Sequence, residues 1–497
     1  MRFFAGLLAI TALAATNQDS RLISAVKADD KNSVEALVQQ HVDVNAPEPD
    51  GTTALMWAVR RTFTKEDMGI ARVLLKAGAN AKASNRYGIN SLYLACQNGN
   101  AAMTEELIEA GADPNSATTE GETALMTAAR TGVVEAAKVL LDHEAHVDAK
   151  ETWHGETALM WAVAQGHPAM VRALIAKGAD VNAHSGVNNW ERQTTSEPRE
   201  KWLPLGGLTP LLFAARQGCL ECAKILVEKG ADINGVDPSG ISPVLMAIIN
   251  GHYDVAGFML DKGTNPNLSD DTGRTALFSA VDFHTMPQSN RPSPDETREE
   301  LTSLDIVKKL LDKGANVNAQ LKKQQPYRVK LDRGDDTMLT AGTTPLLRGA
   351  KAGDVEVIRL LLAKNADPKL ATRNGINPVM AAAGLGTKEE DTTGRRKTEA
   401  DAIESIKLLL DAGLDVNAAD NRGQAALHGA AEKGYDHIVK FLAERGAKLD
   451  IKDNQDKTPL DAALGLAAGG GGGFDGSRKD VHETTAALLR ALMAKAN

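Results

Sequence analysis

A glycine returns along this chain at a spacing that few folds can accommodate. It stands at Gly51, Gly88, Gly121, Gly155, Gly207, Gly240, Gly273, Gly342, Gly375 and Gly423, and Asp456 takes the same place in a last segment. Five of the ten intervals are 33 residues, as from Gly207 to Gly240 and on to Gly273, and one, Gly121 to Gly155, is 34. The other four are longer, so they hold insertions into an otherwise constant unit. A unit of this size cannot bury its own apolar surface and must stack on its neighbours. At 497 residues the chain is also too long for one ordinary core, and an array removes that difficulty.

Each unit repeats the same local physics. Thr209-Pro210, Thr344-Pro345 and Thr458-Pro459 place a capping hydroxyl before a proline at a first helical position, where the missing N–H costs nothing. Ser242-Pro243 and Asn377-Pro378 do the same with other caps. Small and apolar residues follow four, seven and eight positions after the glycine: Leu55, Ala58, Val59; Leu125, Ala128, Ala129; Leu211, Ala214, Ala215. That spacing is one stripe of a short helix. A second helix ends in bulky residues such as Leu140-Leu141 or Leu408-Leu409-Leu410, and a glycine such as Gly78, Gly111 or Gly230 then terminates it in the left-handed conformation. Asn365 holds that terminating place in one unit. His41 and Glu144 hold it in two others, where strain or a shifted turn is expected.

The pattern resembles the ankyrin repeat. Gly207-Leu208-Thr209-Pro210-Leu211 matches that family's opening, and Gly230-Ala231-Asp232-Ile233-Asn234 and Gly178-Ala179-Asp180-Val181-Asn182 match its ending. The resemblance runs from about residue 18 to residue 497. It implies an all-α solenoid of about eleven helix-turn-helix units with β-turn fingers between repeats: an N-terminal half-unit over 18–50, an array over 51–455 and a C-terminal capping unit over 456–497. The signature histidine survives only as His428, with residues such as Met56, Met126, Met160 and Leu212 elsewhere, so the polar tie it supplies is lost in most units.

Insertions in an array map to its loops and often to its binding face. Three enter between the helices of a unit, around Arg60 to Asp67, over 282–300 and over 384–401. Two enter at the turns, over 184–205 and 319–341, and the resemblance implies that turns line the concave groove. Three units of about 8–10 Å each would set these two roughly 25–30 Å apart, a gap that suits an extended peptide, a helix or a small domain. The first carries Trp190, Arg192 and Trp202. The second carries Tyr327, Arg328, Lys330 and Arg333, within five basic residues against three acidic ones. Trp, Tyr and Arg dominate binding energies because they bury much area at small entropic cost. These seven are the expected partner-binding residues, with the alternative that both segments fold back and plug the core.

Other chemistry is weakly signalled. Cys219-Leu220-Glu221-Cys222 has redox spacing at a helix start, but Cys222 appears in the register of Val134 and Val171, on the core stripe. The histidines around His143, His146 and His154 lack the spacing of ligands on one helix face. Gly469 to Gly473 follow a helix rather than a strand and read as a flexible link. Trp57 and Trp161 come six residues after the turn glycine and either pack plainly or line the groove. No cofactor is expected.

The net charge of −9 disfavours nucleic acid as partner. Arg2, the apolar run from Phe3 to Ala15 and the small residues Ala12 and Ala14 read as a cleavable signal peptide over 1–14, since the run is shorter than the about 20 residues of a spanning helix. The expectation is an exported bacterial-type protein, periplasmic or secreted, monomeric and without a span in its mature form. It would bind a protein or peptide without catalysis. The alternatives are an enzyme whose site the inserted loops assemble and an effector acting on a host protein.

Overall fold

A computed structural model describes residues 20–64, 66–188, 205–285, 299–323, 340–387, 397–466 and 481–496. The signal segment, all seven expected binding residues and the glycine run lie outside these. Within them the chain is a succession of α-helix pairs, and its only extended pairing is a set of isolated antiparallel bridges such as Ser84 with Asn90 and Ala419 with Ala425. The contacts divide the chain into two units, 1–189 with 205–232, and 190–204 with 233–497.

The first unit begins with helix α1 (20–27) and α2 (Lys31–Gln39), so the expected half-unit carries both helices. The inner helices are α3 (Ala54–Arg60), α5 (Ser91–Gln97), α7 (Ala124–Thr131), α9 (Ala158–Ala164) and α11 (Pro210–Gln217), and each packs on the next. The outer helices are α4 (Gly69–Lys76), α6 (Ala101–Glu109), α8 (Val134–Asp142), α10 (Pro168–Ala176) and α12 (Leu220–Glu228). In the second unit α13 (Pro243–Ile249), α15 (Ala276–Thr285), α17 (Pro345–Ala352), α19 (Pro378–Ala382), α21 (Ala426–Glu432) and α23 (Pro459–Ala463) form the inner row. Its outer row is α14 (Tyr253–Asp261), α16 (Ser303–Asp312), α18 (Val355–Ala363), α20 (Glu399–Asp411), α22 (Asp436–Glu444) and α24 (Glu483–Ala496).

The caps stand as expected. Thr209 Oγ1 accepts the Leu212 N–H at 3.3 Å, Thr344 that of Leu347 at 3.1 Å, and Asn377 that of Met380 at 3.0 Å, each with proline at the first helical position. The stripe residues Leu55, Ala58 and Val59, with their counterparts at 125, 128, 129 and 211, 214, 215, are all buried. Each fully buried leucine contributes about 2 kcal/mol, and alanine at the other positions lets the helices approach.

Two classes of glycine differ in what they face. At the outer-helix ends Gly78 and Gly230 have φ of +86° and +90°, and a Cβ there would meet nothing within 4 Å. That open space explains how His41, Glu144 and Asn365 hold the same conformation, with φ of 56°, 63° and 64°; the turn does not shift. At the finger glycines a Cβ would collide with the next finger, lying 2.7 Å from Thr118 Cα at Gly88 and 2.7 Å from the Ala371 carbonyl at Gly342. Asp456, also at positive φ, is tolerated in the last finger, beyond which no described finger follows.

Successive fingers are joined through their backbones. Thr119 N–H donates to Tyr87 O at 3.1 Å and Thr152 N–H to Glu120 O at 2.8 Å. In the second unit Arg373 N–H donates to Ala341 O at 2.7 Å and Asn454 N–H to Arg422 O at 2.8 Å. Where asparagine closes a unit, as in most of them, it adds a side-chain rung. Asn45 Nδ2 donates to Gly78 O at 3.1 Å, and its Oδ1 accepts the Asn80 N–H at 2.7 Å.

The insertions leave this ladder intact. Asn182 reaches Gly230 O at 3.2 Å across the first finger insertion, and Asn267 reaches Gly314 O at 3.2 Å across the insertion that follows α15. Both finger insertions leave from narrow necks: Val187 bridges Gly206 in one, and in the other Leu321 N–H donates to Thr343 O at 3.0 Å.

Candidate protein-binding face

The inner helices of the first unit present a row of aromatic side chains interleaved with charge. Trp57 is half-buried; its Nε1 donates to Glu48 at 2.7 Å, and the Lys27 ammonium lies 4.3 Å from its ring centre. Two helices on, the Tyr93 hydroxyl donates to Glu122 at 3.3 Å, and burial with that carboxylate pushes the phenol's pKa up. Glu122 also accepts from Thr127 at 2.8 Å and pairs with Arg130 at 3.6 Å. Arg130 in turn lies 5.7 Å from the Trp161 ring. Beyond it Arg216 covers Phe213 at 4.6 Å.

Around Trp161 the balance is incomplete. Trp161 Nε1 and Arg216 Nε are buried donors without a well-aligned acceptor. Trp161 still lies near enough to Glu156 to draw that carboxyl's pKa down slightly, although burial dominates and the net shift is upward. Burial lowers the pKa of Arg216, against the pull of Glu156. Both tryptophans thus combine packing with partial exposure.

The fingers carry a second row. Several are shaped by one polar side chain that accepts N–H groups of its own turn, as Asn85 does from Tyr87 and Ile89, both at 3.0 Å. Glu151 accepts from Trp153 at 2.6 Å, His154 at 2.8 Å and Glu156 at 2.9 Å. Its turn closes five residues on, by Glu151 N–H to Glu156 O, where Asn85 closes four on. The surplus residue turns Trp153 outward: it is 70% exposed, stacked on His154 with ring centres 5.3 Å apart. Tyr87, at another tip, is 49% exposed under Arg86. Sequence reasoning passed over Trp153, yet its signal was the single 34-residue interval.

The partner residues expected from sequence, Trp190, Arg192, Trp202, Tyr327, Arg328, Lys330 and Arg333, lie outside the described residues. Their two necks start from the finger row, and Val187 at the first neck is 63% exposed. The cysteine reading needs correction. Cys219 and Cys222 are joined in a disulfide, and the start of each helix aligns Cys222 with Ala136 and Met170 rather than with Val134 and Val171. Cys222 is nonetheless a core residue, so core packing and a disulfide coexist. Of the turn histidines, His143 faces Glu105 at 3.0 Å.

In the second unit polar groups enter the core. Asp282 pairs with Arg348, both buried. His284 stands between Ser303, 2.9 Å from Nδ1, and Asp354, 3.3 Å from Nε2. Asp354 caps α18 by accepting the Val357 N–H and Ser303 opens α16, so this chain of contacts ties three helices.

Helix pairs stacked in register through finger backbones and closing asparagines define a repeat solenoid of the class that offers an extended face rather than a pocket. Family models for ankyrin repeats match residues 22–118, 92–185, 193–270, 211–321 and 398–468, and a single-repeat model matches 341–373. The chain therefore belongs to the ankyrin-repeat family. It is 28% identical over 451 residues to human transient receptor potential cation channel subfamily A member 1, covering 82% of this chain and 38% of that protein. It is 30% identical over 167 residues to the mouse B-cell lymphoma 3 protein homolog, covering 33% of each. To the E3 ubiquitin-protein ligase KEG of Arabidopsis thaliana it is 25% identical over 390 residues, 75% of this chain and 22% of that one. The chain thus spans well under half the length of these relatives. Among the described residues no helix is long and apolar enough to cross a membrane.

Proposed function

We propose that the chain is a non-catalytic scaffold that binds a protein or peptide along the inner-helix and finger rows, as a monomer and without nucleic acid. The observation that carries this reading is Trp153, 70% exposed at a finger tip and stacked on His154, together with the half-buried Trp57 and Trp161 of the inner row. The inserted residues Trp190, Arg192, Trp202, Tyr327, Arg328, Lys330 and Arg333 are further partner contacts in this proposal.

The test is selection of binders from a random displayed-peptide library on the full chain, followed by titration against variants. Trp153→Ala with Trp161→Ala should weaken the selected peptides at least about tenfold at unchanged helix content, as central aromatic anchors do. A separate variant replaces Trp190, Trp202, Tyr327 and Arg328 by Ala. Full affinity in the first variant would sink the inner face as the site, and full affinity in the second would sink the role of the insertions.

Export to the periplasm or medium belongs to the same proposal. The apolar segment after Arg2 and a disulfide, which persists in oxidising compartments, support it. Amino-terminal sequencing of protein from the native cell should begin near Ala15; a chain starting at Met1 would refute it.

A further inference from the structure

The paired cysteines stand apart from the binding face and have a chemistry of their own. Cys219 is half-buried and caps α12, whereas Cys222 is fully buried as the third residue of that nine-residue helix. The Cys222 N–H donates to Cys219 Sγ at 3.3 Å. In some sister helices the same cap position holds an oxygen acceptor, as Asp30 takes the Ser33 N–H at 3.0 Å and Asn100 takes the Met103 N–H at 3.0 Å, whereas Val133, His167 and His252 at that position make no side-chain cap bond. The position favours an anion. The Asp30 carboxyl is held below its usual pKa first by the Ser33 hydroxyl, which has no counterpart at Cys222, and then by the Ser33 N–H, whose counterpart is the Cys222 N–H; the helix dipole acts in the same sense. A neutral thiol is a poor cap, while a thiolate at Cys219 would stand where the Asp30 carboxylate stands.

Both redox states fit the surrounding structure. Cys222 aligns with buried Ala136 and Met170, so as a free thiol it remains a small core side chain. The bond spans a sequence separation of only 3, and so short a loop removes little chain entropy. It is therefore a poor staple. The carboxylate nearest in sequence, Glu221, pairs with Lys224 at 2.7 Å and feels Arg172, which tempers its repulsion of a neighbouring thiolate.

We propose that Cys219 and Cys222 form a reversible dithiol–disulfide site that exchanges with a small-molecule thiol–disulfide couple, Cys219 being the attacking sulfur. In the oxidising direction the Cys219 thiolate attacks one sulfur of the external disulfide, forming a mixed disulfide and expelling the other sulfur as thiolate. Cys222 then loses its proton to solvent and attacks Cys219 Sγ, which breaks the mixed bond and releases the second thiolate. The cysteine pair loses two electrons and two protons, and the external disulfide becomes two thiols. The reverse sequence restores the dithiol.

The test equilibrates the full chain with reduced and oxidised glutathione, quenches with acid, alkylates and reads intact mass, with circular dichroism run in parallel. The pair should interconvert between disulfide and two alkylated thiols at constant helix content. Cys96, buried and with its thiol pushed up to about 12, should not exchange in the native chain; alkylation in denaturant after the quench labels it in both states, and it serves as internal reference. In Cys222→Ser, oxidised glutathione should leave one adduct on Cys219, forming at least about ten times faster than on Cys96. Cys219→Ser should leave Cys222 unmodified. Reduction of the pair only on unfolding, no adduct in Cys222→Ser, or an adduct on Cys222 in Cys219→Ser would each overturn the proposal.

Discussion

The Glu151 carboxylate holds the backbone of Trp153, accepting its N–H at 2.6 Å, while Glu151 itself is only 6% exposed. A buried acid thus fixes the most exposed aromatic side chain recorded in the first unit. Replacing Glu151 by Ala removes the acceptor of three N–H groups at once. It should lower stability by about 2 kcal/mol, within the range for hydrogen bonds to a charged group, and lower the urea midpoint at constant slope. Glu151→Gln keeps a carbonyl oxygen and should lose about half as much. A midpoint unchanged in Glu151→Ala would show that the turn holds itself.

The two glycine classes should separate on substitution. Gly314→Ala, at φ +81° with open space, should cost about 1 kcal/mol for left-handed backbone alone. Gly342→Ala adds a collision with the Ala371 carbonyl and with Arg373 N, beside the bond from Arg373 to Ala341. It should cost about 3 kcal/mol or more. Equal losses in thermal melts would mean that the fingers part freely.

The Asp282–Arg348 pair should show the asymmetry of buried ions. Arg348→Met removes the guanidinium that pairs with a buried carboxylate and should cost about 3–5 kcal/mol, whereas adding Asp282→Leu should recover most of that loss. Chemical denaturation of Arg348→Met, Asp282→Leu and the double variant closes the cycle. Additive losses would refute the coupling.

His428 gives a pH dependence of known sign. Burial lowers its pKa, opposed by the Lys457 carbonyl and by Asp453, Asp420 and Glu432. The unfolded state therefore takes up a proton first, near pH 6.5, and stability falls as pH drops below that value towards the folded pKa. Its ring is used on both sides, with Nδ1 accepting the Ala425 N–H at 3.1 Å and Nε2 lying 3.2 Å from Lys457 O. In His428→Leu, with the residue found at the equivalent Leu212, stability between pH 7 and 5 should fall less steeply than in the parent. Parallel pH profiles of urea midpoints would remove His428 as the cause.

The helix pairs, their caps and the core stripe were readable because each rests on residues a few positions apart. Thr209 with Leu212, or Leu55 with Ala58, is a local relation that periodicity exposes. The closing asparagine was readable only as a motif letter, since its partners lie in the following unit, as Asn45 with Gly78 and Asn80. The cysteine pair was misread for a related reason. Core register and a disulfide looked like competitors until the helix start set Cys219 at the cap and Cys222 one turn inside.

The sequence by itself determined that the chain is a stacked array and where its units begin, because a period of 33 has one economical packing solution. Only tertiary structure decided which surface residues matter. Trp57 and Trp161 share a sequence position, yet one indole N–H meets Glu48 and the other lacks an aligned acceptor. Trp153 points outward because one surplus residue sits in a turn anchored by Glu151. The charges over the two inner tryptophans, Lys27 on Trp57 and Arg130 on Trp161, come from about 30 residues away in sequence, and the periodic pattern of a single unit does not encode them.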